Sequence, residues 1–152
     1  MPITNVILGK NVHITNENLV NLYDCKIGNN CKIGPFVEIQ KNVIIGNNCK
    51  ISSHSFICEG VNISNNVFIG HNVTFINDKY PFAINEDGSM KNEDDWNLIN
   101  TFVEEGASIG SGSTILCGVK IGKGSIIGAG SLIAKNVPDG KTAYGNPASV
   151  KW

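Results

Sequence analysis

Ile27–Phe75 reads IGNNCKIGPFVEIQKNVIIGNNCKISSHSFICEGVNISNNVFIGHNVTF and repeats every six residues without a slip. Ile27, Ile33, Ile39, Ile45, Ile51, Ile57, Ile63, Ile69 and Phe75 share one phase. Four residues after each of the first eight stands a small or β-branched residue: Cys31, Val37, Val43, Cys49, Ser55, Val61, Val67 and Val73. Gly follows the apolar residue at Gly28, Gly34, Gly46 and Gly70. An amphipathic helix repeats its apolar face about every 3.6 residues, and a simple strand every second residue. A period of six fits neither and predicts a β-solenoid, each turn stacked on the last. Asn29–Asn30, Asn47–Asn48 and Asn65–Asn66 add a second period of eighteen. Asn accepts the left-handed backbone that a sharp corner needs. Three six-residue sides therefore make one coil of a triangular prism, with the Asn pairs along one edge.

Outward from this stretch the pattern weakens and then returns. Leu8, Val12 and Ile14 form a weak first repeat, and the phase shifts by one between Thr15 and Lys26. Residues 1–26 are thus expected as an irregular first coil capping the core. Regular coils fill 27–76. From 77 to 102 the repeat stops in a polar, turn-rich loop containing Tyr80, Phe82 and Trp96, aromatics that need something to pack on. Long insertions on a rigid scaffold usually carry function. The repeat resumes with Val103, Ile109, Ile115, Ile121, Ile127 and Ile133, and Pro138 closes the coils at 103–138. A tail, 139–152, completes one all-β domain, 1–152.

The chain has 152 residues, enough for one substantial core, and a net charge of −1. That balance gives no reason to expect nucleic acid or an anionic membrane as partner. No apolar run reaches transmembrane length and no signal segment opens the chain. Cys25, Cys31 and Cys49 fall on the inward small position, as core filler in a reducing cytoplasm. Cys58 and Cys117 lie off it and are expected to pack too.

The eighteen-residue coil lets edge columns be written down, with the loop placed at one corner. The Asn-pair edge continues to Glu105 and Lys123 and faces solvent. A second edge stacks Lys41, Glu59 and Asn77, with Asp78 beside it, then Cys117 and Lys135. A carboxylate and an amide one coil apart, where the loop departs, can hold an amine. Asn77–Asp78 can equally be a turn that caps the loop. The third edge stacks Pro35, Ser53, His71, Ser111 and Ala129, followed by Phe36, His54, Asn72, Gly112 and Gly130. Its upper part is small enough for a slender ligand to lie on the backbone. Its lower part, Phe36, His54 and His71, suits a nucleotide base and sugar.

These residues resemble the hexapeptide-repeat acyltransferases, which fold as left-handed parallel β-helices. Handedness is implied by that family and not by the period. GHNVTFINDKYP (Gly70 to Pro81), GASIGSGSTILCGVKIG (Gly106 to Gly122), IIGAGSLIAKNVP (Ile126 to Pro138) and GNPA (Gly145 to Ala148) look like one branch, the N-acetyltransferases of nucleotide-linked 3-amino sugars. The resemblance implies a cytoplasmic homotrimer with sites between subunits, acetyl-CoA as donor and no metal. It also implies a place in surface polysaccharide biosynthesis, such as O-antigen or lipopolysaccharide. Glu59, Asn77 and Asp78 match positions near the acceptor amine, with His71 the titratable group beside the thioester. Phe36, His54, Tyr80 and Phe82 are counted with the nucleotide sugar. Ser111, Gly112, Ala129 and Gly130 match the pantetheine track, and Asn146 and Pro147 the tail that closes it. Where the family's tail reads GNPAR, Ser149 replaces Arg, leaving Lys135, Lys141 or Lys151 for the CoA phosphates.

The loop holds no histidine. A hydroxyl acceptor needs a base to take its proton, whereas an amine with a pKa of about 8 attacks a thioester unaided. The expected reaction is acetyl transfer to the 3-amino group of a dTDP-3-amino-3,6-dideoxyhexose. Phe82 stands where relatives often carry Arg, which disfavours a UDP-linked 3-amino-glucuronate. A hexapeptide O-acetyltransferase is the nearer rival. A γ-class carbonic anhydrase needs three converging histidines, and the chain has only His13, His54 and His71.

Overall fold

The computed structural model describes residues 1–151; Trp152 lies outside them. Three sheets of seven, six and eight strands, parallel except for one terminal hairpin, enclose a single core. The first face runs from Ile3–Thr4 through Glu38–Ile39, Phe56–Ile57 and Thr74–Phe75 to Leu132–Ile133. The second includes Ile44–Ile45, Val61–Ile63, Thr101–Val103 and Lys120–Ile121. The third includes His13–Ile14, Lys32–Ile33, Lys50–Ile51, Phe68–Ile69, Ser108–Ile109 and Ile126–Ile127. Ile27 pairs with Ile45 and Ile33 with Ile51, one eighteen-residue coil apart. The predicted all-β solenoid is what forms. No helix among the described residues is long and apolar enough to cross a membrane.

Strand alternation explains the hexad. In each short strand one side chain points inward and its neighbour outward. The inward hexad residues from Ile27 to Ile133 are all buried, as are Cys25, Cys31 and Cys49. Where Ser takes the small inward slot, its hydroxyl finds a carbonyl: Ser55 donates to Gly70 at 2.8 Å and Ser113 to Gly128 at 3.1 Å. This satisfies a group that burial would otherwise penalise.

The Asn pairs divide the labour of the corner. The second Asn takes the left-handed backbone, with φ of 57° at Asn30 and 58° at Asn48. The first accepts the amide N–H of the coil below: Asn29 N–H donates to Asn47 Oδ1 at 2.8 Å, and Asn47 N–H to Asn65 Oδ1 at 2.7 Å. Gly70 sits at negative φ and serves instead for close approach. A Cβ there would lie 2.6 Å from the Ser111 nitrogen on the next coil.

The first coil is a full turn, pairing His13 with Lys32 and Ile14 with Ile33 at nineteen residues in place of eighteen. Its irregularity is confined to a 3-10 turn, Glu17–Leu19, opened by Asn16. Ile3, Val6, Val12 and Ile14 stay only partly buried. The loop leaves after Phe75 and the chain returns at Thr101, so Ile69 pairs with Ile109 across forty residues. Thr101 and Phe102, counted with the loop from sequence, belong to the strand Thr101–Val103. Thr101 stands in register with Val61 and Phe102 points outward, so the inward apolar signal begins only at Val103.

Candidate active site

The loop turns a shallow corner into a cleft. Where it departs, the Asn77 carboxamide donates to the Glu59 backbone carbonyl at 2.9 Å. The two are neighbours, as the coil spacing predicts, but the Glu59 carboxylate points the other way. It accepts from Asn42 Nδ2 at 2.8 Å and lies 4.0 Å from the Lys41 ammonium. Lys41 Nζ also donates to Glu93 of the loop at 2.6 Å. Tyr23, Phe56, Trp96 and Asp94 complete a cleft of about 490 Å³ around Glu59 and Asn77. Three carboxylates, Glu59, Glu93 and Asp94, line it against one ammonium. Such a site suits a cationic group placed within it and repels an anionic one.

The loop is built to hold that wall in place. A 3-10 turn, Glu93–Asp95, is closed by a capping box between Asn92 and Asp95. Asp95 Oδ2 also accepts from Asn85 at 3.0 Å. These hydrogen bonds hold the Asp95 carboxyl below its usual range. Ile84 bridges Met90 to close the tip.

Asp78 does not join Glu59 and Asn77 in this cleft. Its carboxylate accepts from Tyr80 N–H at 3.0 Å, an Asx turn that starts the loop. Tyr80 and Phe82 are 68% and 69% exposed, on cavities they share with Asp78 and Lys91 rather than with Glu59. Phe82 therefore does not line the Glu59 cleft of its own chain.

The third edge carries the other half of the predicted residues. Phe36 and His54 take the corner's left-handed position, with φ of 59° and 63°, where Asn72, Gly112 and Gly130 stand on higher coils. Bulky residues are rare there. Their rings stack with centroids 4.8 Å apart. One step inward, Ser53 Oγ lies 2.9 Å from His71 Nδ1, and His71 N–H donates to Ser111 Oγ at 3.0 Å. The imidazole is thus oriented by the coil below and its backbone by the coil above. Above Ser111 the edge narrows to Gly112, Ala129 and Gly130, a smooth track.

That track ends at the hairpin of Thr142–Gly145 and Ala148–Val150, with Asn146 and Pro147 at its tip. Lys135, Pro147 and Ser149 line one cavity of about 290 Å³. Lys151 lies elsewhere, its ammonium 4.8 Å from the Tyr144 ring centroid. Lys141 is exposed at the base of the hairpin.

All five cysteines are free. Burial pushes the Cys58 thiol up to about 12, so it is no nucleophile. Among the described residues no three His, Cys, Asp or Glu side chains converge as metal ligands. His13 and His71 border one groove, while His54 stacks on Phe36.

Lys41 stood in the predicted column, but its pairing did not. Its partner Glu93 lies in the loop, which obeys no repeat, so the eighteen-residue rule could not bring the two together. Asn42, one residue further along the same corner, was equally accessible to that rule and escaped it.

Residues 24–59 and 100–135 match the family model described as bacterial transferase hexapeptide (six repeats). Over 51 residues the chain is 42% identical to the dTDP-3-amino-3,6-dideoxy-alpha-D-galactopyranose 3-N-acetyltransferase of Aneurinibacillus thermoaerophilus, covering 34% of this chain and 27% of that protein. Over 87 residues it is 34% identical to the galactoside O-acetyltransferase of Lactococcus lactis subsp. lactis, covering 56% and 39%. The matched stretches span less than half of either curated relative. A mutant of AntD, an N-acyltransferase from Bacillus cereus solved with dTDP and coenzyme A, superposes with a TM-score of 0.75. The match covers 97% of this chain and 83% of that one at 22% identity, a likeness of fold.

Proposed function

We propose that this chain, whose repeats are those of the bacterial transferase hexapeptide family, is an acetyl-CoA-dependent N-acetyltransferase. Its acceptor is the 3-amino group of a nucleotide-linked sugar, a dTDP-3-amino-3,6-dideoxyhexose. The observation that carries the reading is the acid-lined cleft around Glu59 and Asn77, roofed by a loop without histidine. The named activities of the Aneurinibacillus relative and of AntD support it.

The chemistry follows from the donor set. The ammonium form of the acceptor is drawn in by Glu59 and loses one proton to solvent. Because the Asn77 amide group is spent on the Glu59 carbonyl, its Oδ1 is left to accept from the amine. Held in place, the nitrogen lone pair attacks the thioester carbon, forming the C–N bond. The carbon–sulfur bond breaks as the tetrahedral intermediate collapses, and the departing thiolate takes the remaining excess proton. Backbone N–H groups of the narrow Gly112 to Gly130 track are the donors proposed for the oxyanion.

The cleft and the track lie on different edges of one prism. A homotrimer that sets the Glu59 edge of one subunit against the His71 edge of its neighbour would unite them. Such packing would also cover the exposed Tyr80, Phe82 and Met90 of the loop. The three acids of the cleft disfavour a 3-amino-glucuronate, whose carboxylate would meet Glu59, Glu93 and Asp94.

O-acetyl transfer is the second reading. The Ser53–His71 contact favours it, since an oriented imidazole can serve as base, and the Lactococcus relative acts on a galactoside hydroxyl by name. Incubation with acetyl-CoA and paired amino and hydroxy sugar nucleotides, with products identified by mass spectrometry, distinguishes the two.

A further inference from the structure

The cleft depends on a residue that belongs to neither the acceptor pair nor the cofactor track. Lys41 stands one coil below Glu59, on the same edge. Its ammonium is 2.6 Å from Glu93 Oε1 and 4.0 Å from Glu59 Oε2. The Glu93 side chain is exposed, but its backbone is fixed, because it opens the 3-10 turn that Asn92 and Asp95 cap. A pull on Glu93 therefore moves a preformed unit, and that unit carries Asp94 and Trp96 into the cleft wall. From below, Asn42 fixes the Glu59 carboxylate, which leaves Lys41 between an anchored carboxylate and one borne on a capped turn. The Glu93 hydrogen bond, with Glu59 and Tyr23 adding to it, holds the Lys41 ammonium above the usual lysine range.

We infer that Lys41 is the positioning residue of the acceptor cleft, one ammonium that straps the loop to the solenoid through Glu93 and keeps Glu59 in place beside it. The kinetic part of this inference rests on the proposed acceptor; the strapping part does not. The loop's base is tied to the Glu59 coil by Asn77, but the turn that bears Glu93 shares no side-chain hydrogen bond with that coil among the described residues, so at the turn the Lys41 cation is the link. An acceptor ammonium arriving at Glu59 then meets a carboxylate already shaped by a neighbouring cation. The arrangement selects an acceptor sugar ring that brings one amine and hydroxyl groups over a ring that also carries a carboxylate.

Limited proteolysis of the free full-length protein reads the strap without any substrate. Lys41→Met should speed cleavage within residues 77–100 by roughly two- to fivefold, the range expected of one partly exposed ion pair. Lys41→Arg should restore protection. The charge swap Lys41→Glu with Glu93→Lys should restore protection as well, yet leave the acceptor KM raised, because it sets a carboxylate beside Glu59. Lys41→Met should raise the acceptor KM by a similar factor while the acetyl-CoA KM stays unchanged. Unchanged cleavage in Lys41→Met, at an unchanged melting temperature, overturns the strap. A swap that recovers the acceptor KM overturns the coupling to Glu59. Wild-type protein that acetylates no amino sugar contradicts the proposed function, while the cleavage pattern still judges the strap.

Discussion

Asn77 reaches Glu59 through the backbone: its carboxamide donates to the Glu59 carbonyl at 2.9 Å, while the Glu59 carboxylate turns down to Asn42 and Lys41. The contact fixes the loop's point of departure and orients the amide in one stroke. A carbonyl can only accept, so the NH2 group must face Glu59, which leaves Oδ1 as the acceptor on its other side. Asn77→Asp would put a carboxylate against that carbonyl and displace both loop and acceptor. A fall in kcat/KM of about 10²-fold is expected, the scale of a misplacement near 1 Å. Steady-state kinetics on the purified variant check it, and wild-type turnover would contradict it.

Glu59→Gln keeps the shape of the acceptor site and the bond from Asn42 but removes the charge. If Glu59 positions the amine, the loss should stay below the roughly 10²–10⁴-fold that removal of a general base costs. It should fall mainly on the acceptor KM. A larger loss confined to kcat would make Glu59 the base.

Thr101 is 1% exposed and its hydroxyl has no partner. It stands in register with Val61, in a column that continues to Val119. Burying an unpartnered hydroxyl costs about 1–3 kcal/mol. Thr101→Val is nearly the same shape, so it should raise stability by about 1 kcal/mol in chemical denaturation. A destabilised variant would mean that the hydroxyl has a partner in the assembled protein.

Burial raises the thiols of Cys25 and Cys49 from 9.0 to about 11, and that of Cys58 to about 12. Below pH 9 the thiols are neutral folded or unfolded, and the shift has no effect. Above pH 9 the unfolded chain ionises first, so stability is lost progressively as pH rises toward the folded values. The melting temperature should therefore be lower at pH 10 than at pH 8. At pH 8 an alkylating reagent should label Cys117, the one cysteine that is not buried, before the others. Early labelling of Cys58 would contradict the packing.

The solenoid was legible because its determinant is a strict period: Ile27 to Phe75 mark the inward wall by position alone. The place of the loop and the Glu59–Asn77 contact followed from the same count. What the count could not reach lies where the period ends. Glu93 and Trp96 enter the cleft through a capped turn whose direction no repeat dictates. Phe82 follows Asn77 closely in sequence yet lines another cavity, because the Asx turn at Asp78 swings the chain away. The stacked pair Phe36 and His54 lay on the predicted edge, but their left-handed backbone was unforeseen, since that conformation usually selects Asn or Gly.

The most direct test compares kcat/KM, with acetyl-CoA as donor, for a dTDP-3-amino-3,6-dideoxyhexose and for the same nucleotide sugar bearing a hydroxyl at C3. A preference for the amine of at least about 10²-fold is expected, the minimum a missing general base should cost the hydroxyl. Equal turnover of the two, or turnover of the hydroxyl sugar alone, would contradict it.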